Sequence, residues 1–334
     1  MTQTVERPAG DLKGRGGGIV ADRAFWILSL VAGLLVLAVL ALILFTTLKS
    51  AWPAFKFSGF GFVTSDNWVP NDPDGTGPKQ PHFGALAFIY GTLVSSVIAL
   101  LVAVPVSIGI ALFLTELAPR RLRAYVVTVI DLLAAVPSVV FGLWGIVFLG
   151  PAIVKLYNWI HDVFGGIPAI GSLFGEPVST GRSFMTAGII VAIMIIPIVT
   201  SITREVFATV PDADKQAAYA LGATRWEMIR GAVFPHSFGG MVGAVMLGLG
   251  RAMGETIAVA LVMGAAVQIT PNLFASGNSL AAVIAQNWGD PGGATGRSAL
   301  VACGVVLFAI TIVINYLARI IVRRAEIRMK GATA

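Results

Sequence analysis

Six stretches of roughly 20 or more predominantly apolar residues run along the chain, each long enough to cross about 30 Å of hydrocarbon as an α-helix. They fall at residues 25–48, 84–114, 125–149, 187–206, 238–266 and 298–321. A segment in lipid has no water to satisfy its backbone, so a chain patterned this way is driven to a bundle of helices. Composition agrees: of 334 residues, 56% are hydrophobic and only 12% charged, with a mean hydropathy of +0.85, which excludes an ordinary soluble domain. The fold class is therefore an all-α polytopic membrane protein with six transmembrane helices.

The first stretch, FWILSLVAGLLVLAVLALILFTTL, is longer than the core of a cleaved secretory signal and lacks a small-residue cleavage site behind it, so it reads as a retained helix. The single cysteine, Cys303, lies within the last stretch and offers neither a disulfide framework nor a thiolate metal site. The net charge is +6, but the basic residues follow topology rather than a nucleic-acid footprint. With six spans, one side receives Arg7, Lys13, Arg15 and Arg23, the cluster Arg120, Arg121 and Arg123, then Arg204, Lys215, Arg225 and Arg230, and finally the basic end from Arg319 to Lys330. The other side receives only Lys49, Lys56, Lys79, Lys155, Arg182 and Arg297. Positive charge accumulates inside, which predicts cytoplasmic N and C termini.

This divides the chain into a flexible cytoplasmic tail at 1–23, a six-helix transmembrane domain at 24–325 and a short cytoplasmic tail at 326–334. Between the first two spans, residues 49–83 form an external loop rich in aromatics, with a Pro/Asp/Gly turn cluster at 72–77. Pro105, Pro137 and Pro197 fall inside the second, third and fourth spans, where each removes a backbone donor. Ser107, Ser138 and Thr200 lie close enough to satisfy the freed carbonyls. Such prolines either kink helices for packing or expose polar groups to a substrate path. In the fifth span the pairs Gly239/Gly243 and Gly250/Gly254 allow another helix to approach, within this chain or from a second subunit.

Three ionisable residues lie deep in apolar sequence. Arg251 and Glu255 occur in GLGRAMGETIAVALVMGAA, and Asp131 in VVTVIDLLAAVPS. A charge at the centre of a span costs about 2.5–3.5 kcal/mol on insertion scales, and such residues generally face a bundle interior or a transport pathway. Four residues apart on one helix, Arg251 and Glu255 can pair. Three roles stay open: a coupled gate, direct anion contact by Arg251, and a structural strut. Asp131 needs a partner, with Arg204 a candidate, or must be protonated. The histidines His82, His161 and His236 lack metal-ligand spacing.

The segment 210–235, VPDADKQAAYALGATRWEMIRGAVFP, is too polar to span and reads as helix, turn, helix. Pro211 suits a first turn, and Ala217, Ala218, Ala220 and Leu221 favour a helix that Gly222 ends in a left-handed conformation. Thr224 and Glu227 then form a capping box for a second helix. A compact amphipathic unit of this kind suits docking in a groove on a cytoplasmic partner.

This segment resembles the EAA loop of ABC-importer permeases, in which Glu-Ala-Ala is followed three residues on by Gly and later by an Ile-x-Leu-Pro ending. Here the corresponding residues are Gln216, Ala217 and Ala218, then Gly222, then AVFP at 232–235. Gln216 departs from the usual Glu, which bears on a salt bridge to the ATPase rather than on the docking helix. Within that superfamily the runs AVPSVVFGLWG, IVTSITREVFATVP, ALGATRWEMI, GLGRAMGETIAV and FGALAFIYGTL are similar to the phosphate-specific permeases, over roughly residues 25–324. The form GRAMGETIAV favours the C-type over the A-type subunit of that family.

The resemblance implies a type I importer-permease (MetI-like) fold in a bacterial inner membrane, paired with a PstA-like permease. It further implies a PstB-like ATPase dimer inside and a PstS-like periplasmic or lipid-anchored phosphate-binding protein outside. Gln216, Ala217, Ala218, Leu221, Gly222, Thr224, Trp226 and Glu227 would form the ATPase-coupling loop, with Trp226 and Ile229 anchoring its second helix. Arg251 and Glu255 would be needed for transport. No GxxxxGK[ST] phosphate loop occurs, so ATP and magnesium belong to a separate ATPase, and this chain is a transport subunit that binds no cofactor itself. Other readings are a permease for another oxyanion, an ATP-independent anion carrier, a membrane enzyme or a sensory scaffold. The docking loop argues against the carrier, and no nucleophile–base constellation supports the enzyme.

Overall fold

The computed structural model describes residues 17–69, 82–168 and 170–331. The expected turn cluster at 72–77, Lys79, and the tail residues 1–16 and 332–334 lie outside the described residues. The chain divides into two units, Met1–Lys49 and Ser50–Ala334. In the first, α1 (Gly17–Ser58) leaves Phe25, Trp26, Leu28 and many other large apolar side chains exposed, the surface a lipid-facing helix presents.

The second unit continues with the end of α1, a short α2 (Gly61–Thr64), and a two-residue ribbon, β1 (Trp68–Val69) antiparallel to β2 (His82–Phe83) with Trp68 opposite Phe83. Then come α3 (Leu86–Leu112), which ends in a π-helical turn at Phe113–Leu117, and α4 (Arg120–Ala134). Next, α5 (Ser138–Trp144) runs through a π-helical turn, Gly145–Leu149, into α6 (Gly150–Phe164). The long α7 (Phe184–Ala208) precedes the short pair α8 (Asp212–Ala220) and α9 (Arg225–Met228). A third π-helical turn, Ile229–Val233, joins α9 to α10 (Phe234–Gly254). After a break come α11 (Ile257–Val262), α12 (Leu280–Asn287) and α13 (Gly293–Gly331).

Among the described residues six helical segments are long and apolar enough to cross a membrane: Ala21–Ser58, Leu86–Leu117, Ser138–Phe164, Phe184–Ala208, Arg225–Gly254 and Gly293–Ile320. The number agrees with the sequence, but several boundaries need correction: the first span runs on to Ser58, into the segment expected as external loop, the third runs on to Phe164, and the fifth starts at Arg225. The third span does not begin at Tyr125. Residues 120–134 form the separate amphipathic helix α4, whose only buried side chain is Ile130, and the span starts at Ser138. Three arginines and Asp131 make α4 too polar to cross, and Pro137 breaks the helix because it has no amide hydrogen and restricts the residue before it. Pro137 therefore sits at the N-cap of α5 rather than at a kink within a span. The fifth span likewise does not continue to Ala266: it ends at Gly254, and α11 is a separate element.

Pro105 and Pro197 do lie inside helices, α3 and α7. Ser107 bridges the two, its hydroxyl donating to the Ile196 carbonyl at 3.2 Å. Thr200 makes no such bond; its oxygen is buried without a partner.

The core is organised around α7, where 61% of the apolar window is buried, more than in any other span. Ile190, Val191 and Ile195 pack with Ala99 and Ala103 of α3 and with Ala258 and Val262 of α11. Glycines set how closely the neighbours approach: a Cβ on Gly248 of α10 would stand 2.6 Å from Val199, and one on Gly240 would stand 2.5 Å from Val206. These contacts run α10 antiparallel to α7. Cys303 is a buried packing residue in a second cluster with Phe88 and Leu280.

The bundle has two distinct ends. At one, the ribbon, the starts of α3 and α7 and the loop after α11 are tied together. Tyr90 donates to the Thr270 carbonyl at 2.6 Å, the Leu280 amide to the Thr92 hydroxyl at 3.0 Å, and the Phe184 amide to the Ala275 carbonyl at 3.1 Å. At the other end lie the α8–α9 pair and the end of α3.

Candidate transport site and coupling elements

The helix-turn-helix at 210–235 forms with the expected turn, but its second helix does not stop at Pro235: it runs without a break from Arg225 into the fifth span. Gly222 adopts φ +84°, the left-handed conformation that lets α8 end sharply. Thr224 and Glu227 complete the capping box: the Thr224 amide donates to the Glu227 carboxylate at 2.7 Å, and the Glu227 amide donates to the Thr224 hydroxyl at 3.4 Å. Gln216, Ala217 and Trp226 are exposed, and Leu221 is 90% exposed, an unusual position for a large apolar side chain with nothing to cover it. Beside it, Ala217, Ala218, Leu221, Gly231, Ala232 and Pro235 border an open cavity of about 590 Å³. Ile229 anchors the second helix from within this chain: it is buried among Phe207, Val210, Met228 and Val233 and so ties the motif to this chain rather than to a partner. Trp226 meets Phe234 edge-on, with ring centroids 6.4 Å apart.

One ion pair, which local patterning does not reveal, fastens this motif to the bundle. Lys215 on α8 donates to Glu116, in the π-helical turn that ends α3, at 2.6 Å. Its partners lie 99 residues apart.

The Arg251–Glu255 pairing expected from four-residue spacing does not form. Arg251 lies in the last turn of α10, but Glu255 follows the helix end with extended backbone, φ −69° and ψ 125°. Its carboxylate turns to the next element, accepting the Ala258 amide at 3.3 Å in the first turn of α11, where a negative charge is favourable. Glu255 is buried at 9% exposure while Arg251 is exposed. Among the described residues no ion pair links them. Since Gly248 lies against Val199 and the Ser183 amide donates to the Val262 carbonyl at 3.1 Å, the break falls partway along α7, in the body of the bundle.

The small-residue pairs of α10 do not make the contact within this chain. Gly243, Gly250 and Gly254 all face open space, and Leu247 on the same face is 61% exposed. Gly239 and Gly243 border an open cavity of about 830 Å³ with Met246, Leu247, Asn315 and Arg319. The close approaches to α7 come instead from Gly240 and Gly248, which the spacing argument did not single out.

Asp131 is exposed on α4, and Arg204 pairs with its neighbour Glu205 at 3.8 Å rather than with Asp131. The Asp131–Arg204 partnership considered from the sequence therefore does not form. Among the described residues no cluster of three or more His, Cys, Asp or Glu side chains is arranged to hold a metal. His161 instead bonds the Phe174 carbonyl at 2.7 Å.

The second unit thus carries a discontinuous helix in its body, an open glycine-rich face on α10 and an exposed apolar side chain, Leu221, at one end. Comparison with known proteins gives the family. Residues 103–327 match the model of the binding-protein-dependent transport system inner membrane component. The chain is 42% identical over 310 residues to the phosphate transport system permease protein PstC of Mesorhizobium japonicum, covering 92% of each chain. It is 40% identical to the protein of that name from Haemophilus influenzae, over 88% of this chain and 90% of the relative. For PstC 2 of Mycobacterium tuberculosis the identity is 38%, over 90% and 91%. In fold it is similar to a chain of a bacterial alginate ABC transporter crystallised with an alginate pentasaccharide-bound periplasmic protein, at a TM-score of 0.57 and 19% identity, covering 91% of this chain and 96% of that one. The chain belongs to the binding-protein-dependent permease family and, within it, to the PstC permeases.

Proposed function

We infer that this chain is the multi-pass permease subunit through which an ATP-driven importer carries inorganic phosphate across a bacterial inner membrane. The observation that carries the reading is the match to PstC permeases along nine-tenths of the chain, together with a coupling motif that leaves Leu221 uncovered at one end of the bundle. A permease of this class works with an ATPase and a substrate-binding protein. The finer assignment is a PstA-like second permease against the open α10 face, a PstB-like ATPase dimer at the α8–α9 motif, and a PstS-like protein at the opposite, external end. Both termini would then be cytoplasmic, as the distribution of basic residues supports. ATP and magnesium act on the partner ATPase, and the chain supplies no hydrolytic residue of its own.

In this reading, closure of the ATPase dimer displaces α8, and Lys215 and Ile229 pass the displacement to α3 and α10. Arg251 serves translocation as an unneutralised guanidinium on the open face of α10, because Glu255 is occupied in capping α11. A planar guanidinium suits a phosphate oxyanion, and low dielectric strengthens the attraction. The geometry thus favours Arg251 as anion contact over a local Arg–Glu strut, with Glu255 setting the helix break beside it. Radiolabelled phosphate uptake in a strain lacking this chain tests the assignment: the wild-type chain restores uptake, and failure to restore it in an assembled complex would refute the role.

A further inference from the structure

At the end of the bundle opposite the coupling motif, a cavity of about 390 Å³ lies between the ribbon, α12 and the loop that follows α11. Among the described residues Arg182 is the one charged side chain in its lining, with no acidic side chain beside it. Three amides, Asn278, Gln286 and Asn287, share the wall with Trp68. A half-buried guanidinium normally finds a carboxylate, yet among the described residues Arg182 has no ion-pair partner. The Trp68 indole nitrogen is likewise buried without a hydrogen-bond partner, a state that buried polar groups rarely retain unless something else satisfies them.

The surrounding structure holds these groups in place. Gly181, at φ +70° and packed against Gly150, sets the turn that carries Arg182. The Arg182 amide is held by the Thr180 hydroxyl at 3.4 Å, and Ser183 next to it caps α7. On the opposite wall, Gln286 donates to the carbonyls of Ala260 and Gly264 at 3.2 and 3.3 Å and accepts from Asn278 at 2.8 Å. Trp68 is fixed by edge contacts with Phe83 and Phe88, ring centroids 5.1 and 5.2 Å away. The result is a preorganised concave site with spare donor capacity and one positive charge that no carboxylate among the described residues pairs.

We propose that this cavity is an oxyanion subsite at the outer mouth of the permease, where Arg182 takes a phosphate group before it reaches the Arg251 region. The proposal rests on the permease reading given above and adds a second anion contact at the entrance. A guanidinium recognises a free phosphate and a lipid headgroup phosphate by the same chemistry, so the test must separate the two sources.

The experiment uses the complete importer in proteoliposomes of phosphatidylcholine alone or with added phosphatidylglycerol, and measures radiolabelled phosphate uptake and binding-protein-stimulated ATP hydrolysis together. Losing a charge-assisted contact predicts that Arg182→Gln cuts uptake about tenfold, while Arg182→Lys retains part of it and ATP hydrolysis stays near the wild-type rate. Trp68→Phe, which keeps the ring and removes the donor, gives a smaller fall in uptake. A defect in both lipid mixtures supports free phosphate as the ligand, and one confined to phosphatidylglycerol supports an oxyanion site filled by a headgroup. If Arg182→Gln transports like wild type, or loses ATP hydrolysis in parallel with uptake, the subsite is overturned. Inactive wild-type proteoliposomes would instead count against the permease reading itself.

Discussion

Lys215 on the docking helix lies 2.6 Å from Glu116 at the end of α3, with the two side chains only 18% and 9% exposed. A pair this sheltered differs from a surface salt bridge, because removing one partner leaves the other charge poorly solvated. Lys215→Met or Glu116→Gln is expected to weaken the junction by about 1–3 kcal/mol. Phosphate uptake should fall while ATP hydrolysis becomes less dependent on loaded binding protein. The swapped pair, Lys215→Glu with Glu116→Lys, should recover part of the coupling, and measuring both rates in all four forms checks this.

Gly222 is needed for its backbone, not for its size. A Cβ there meets nothing within 4 Å, yet φ is +84°. Gly222→Ala should therefore cost about 1–2 kcal/mol in the left-handed conformation, and Gly222→Asn less, since asparagine tolerates it. Thermal unfolding of the assembled complex should rank glycine above asparagine above alanine.

Leu221 is exposed within this chain at 90%. Leu221→Arg should leave the fold and membrane insertion unchanged. It should also abolish copurification of the ATPase, because a charge replaces the apolar group offered to the partner groove. Retained ATPase binding would place the docking surface elsewhere.

The glycines of α10 divide into two groups with different expected effects. Gly248→Leu drives a side chain into Val199 and should destabilise the chain itself by about 1–3 kcal/mol. Gly250 has open space around it, so Gly250→Leu should leave the isolated chain intact and impair assembly with the second permease. Comparing detergent stability with pull-down of the partner separates the two.

Much of this arrangement was legible in sequence because it is local. The Gly222 stop and the Thr224–Glu227 capping box depend on residues within a few positions, and both formed. Six apolar stretches were enough to define the bundle. The Arg251–Glu255 pair does not follow from its four-residue spacing, because that spacing implies contact only on a continuous helix and α10 ends at Gly254. The signal lay in the same letters: a glycine followed by Glu and Thr can end one helix and cap the next. Hydropathy averaged across Pro137 carries the third span back to Tyr125, although Pro137 separates a polar helix from an apolar one. The Lys215–Glu116 pair had no sequence signal, since tertiary folding alone brings its partners together.

The central claim is that Arg251 acts in translocation as an unpaired cation while Glu255 holds the helix break. Radiolabelled phosphate uptake, normalised to assembled complex, should be measured for wild type, Arg251→Gln, Arg251→Lys, Glu255→Gln and the Arg251→Gln/Glu255→Gln double variant. The account predicts that Arg251→Gln nearly abolishes uptake, that Arg251→Lys keeps a fraction of it, and that adding Glu255→Gln restores nothing. Normal uptake by Arg251→Gln, or recovery in the double variant, would contradict it.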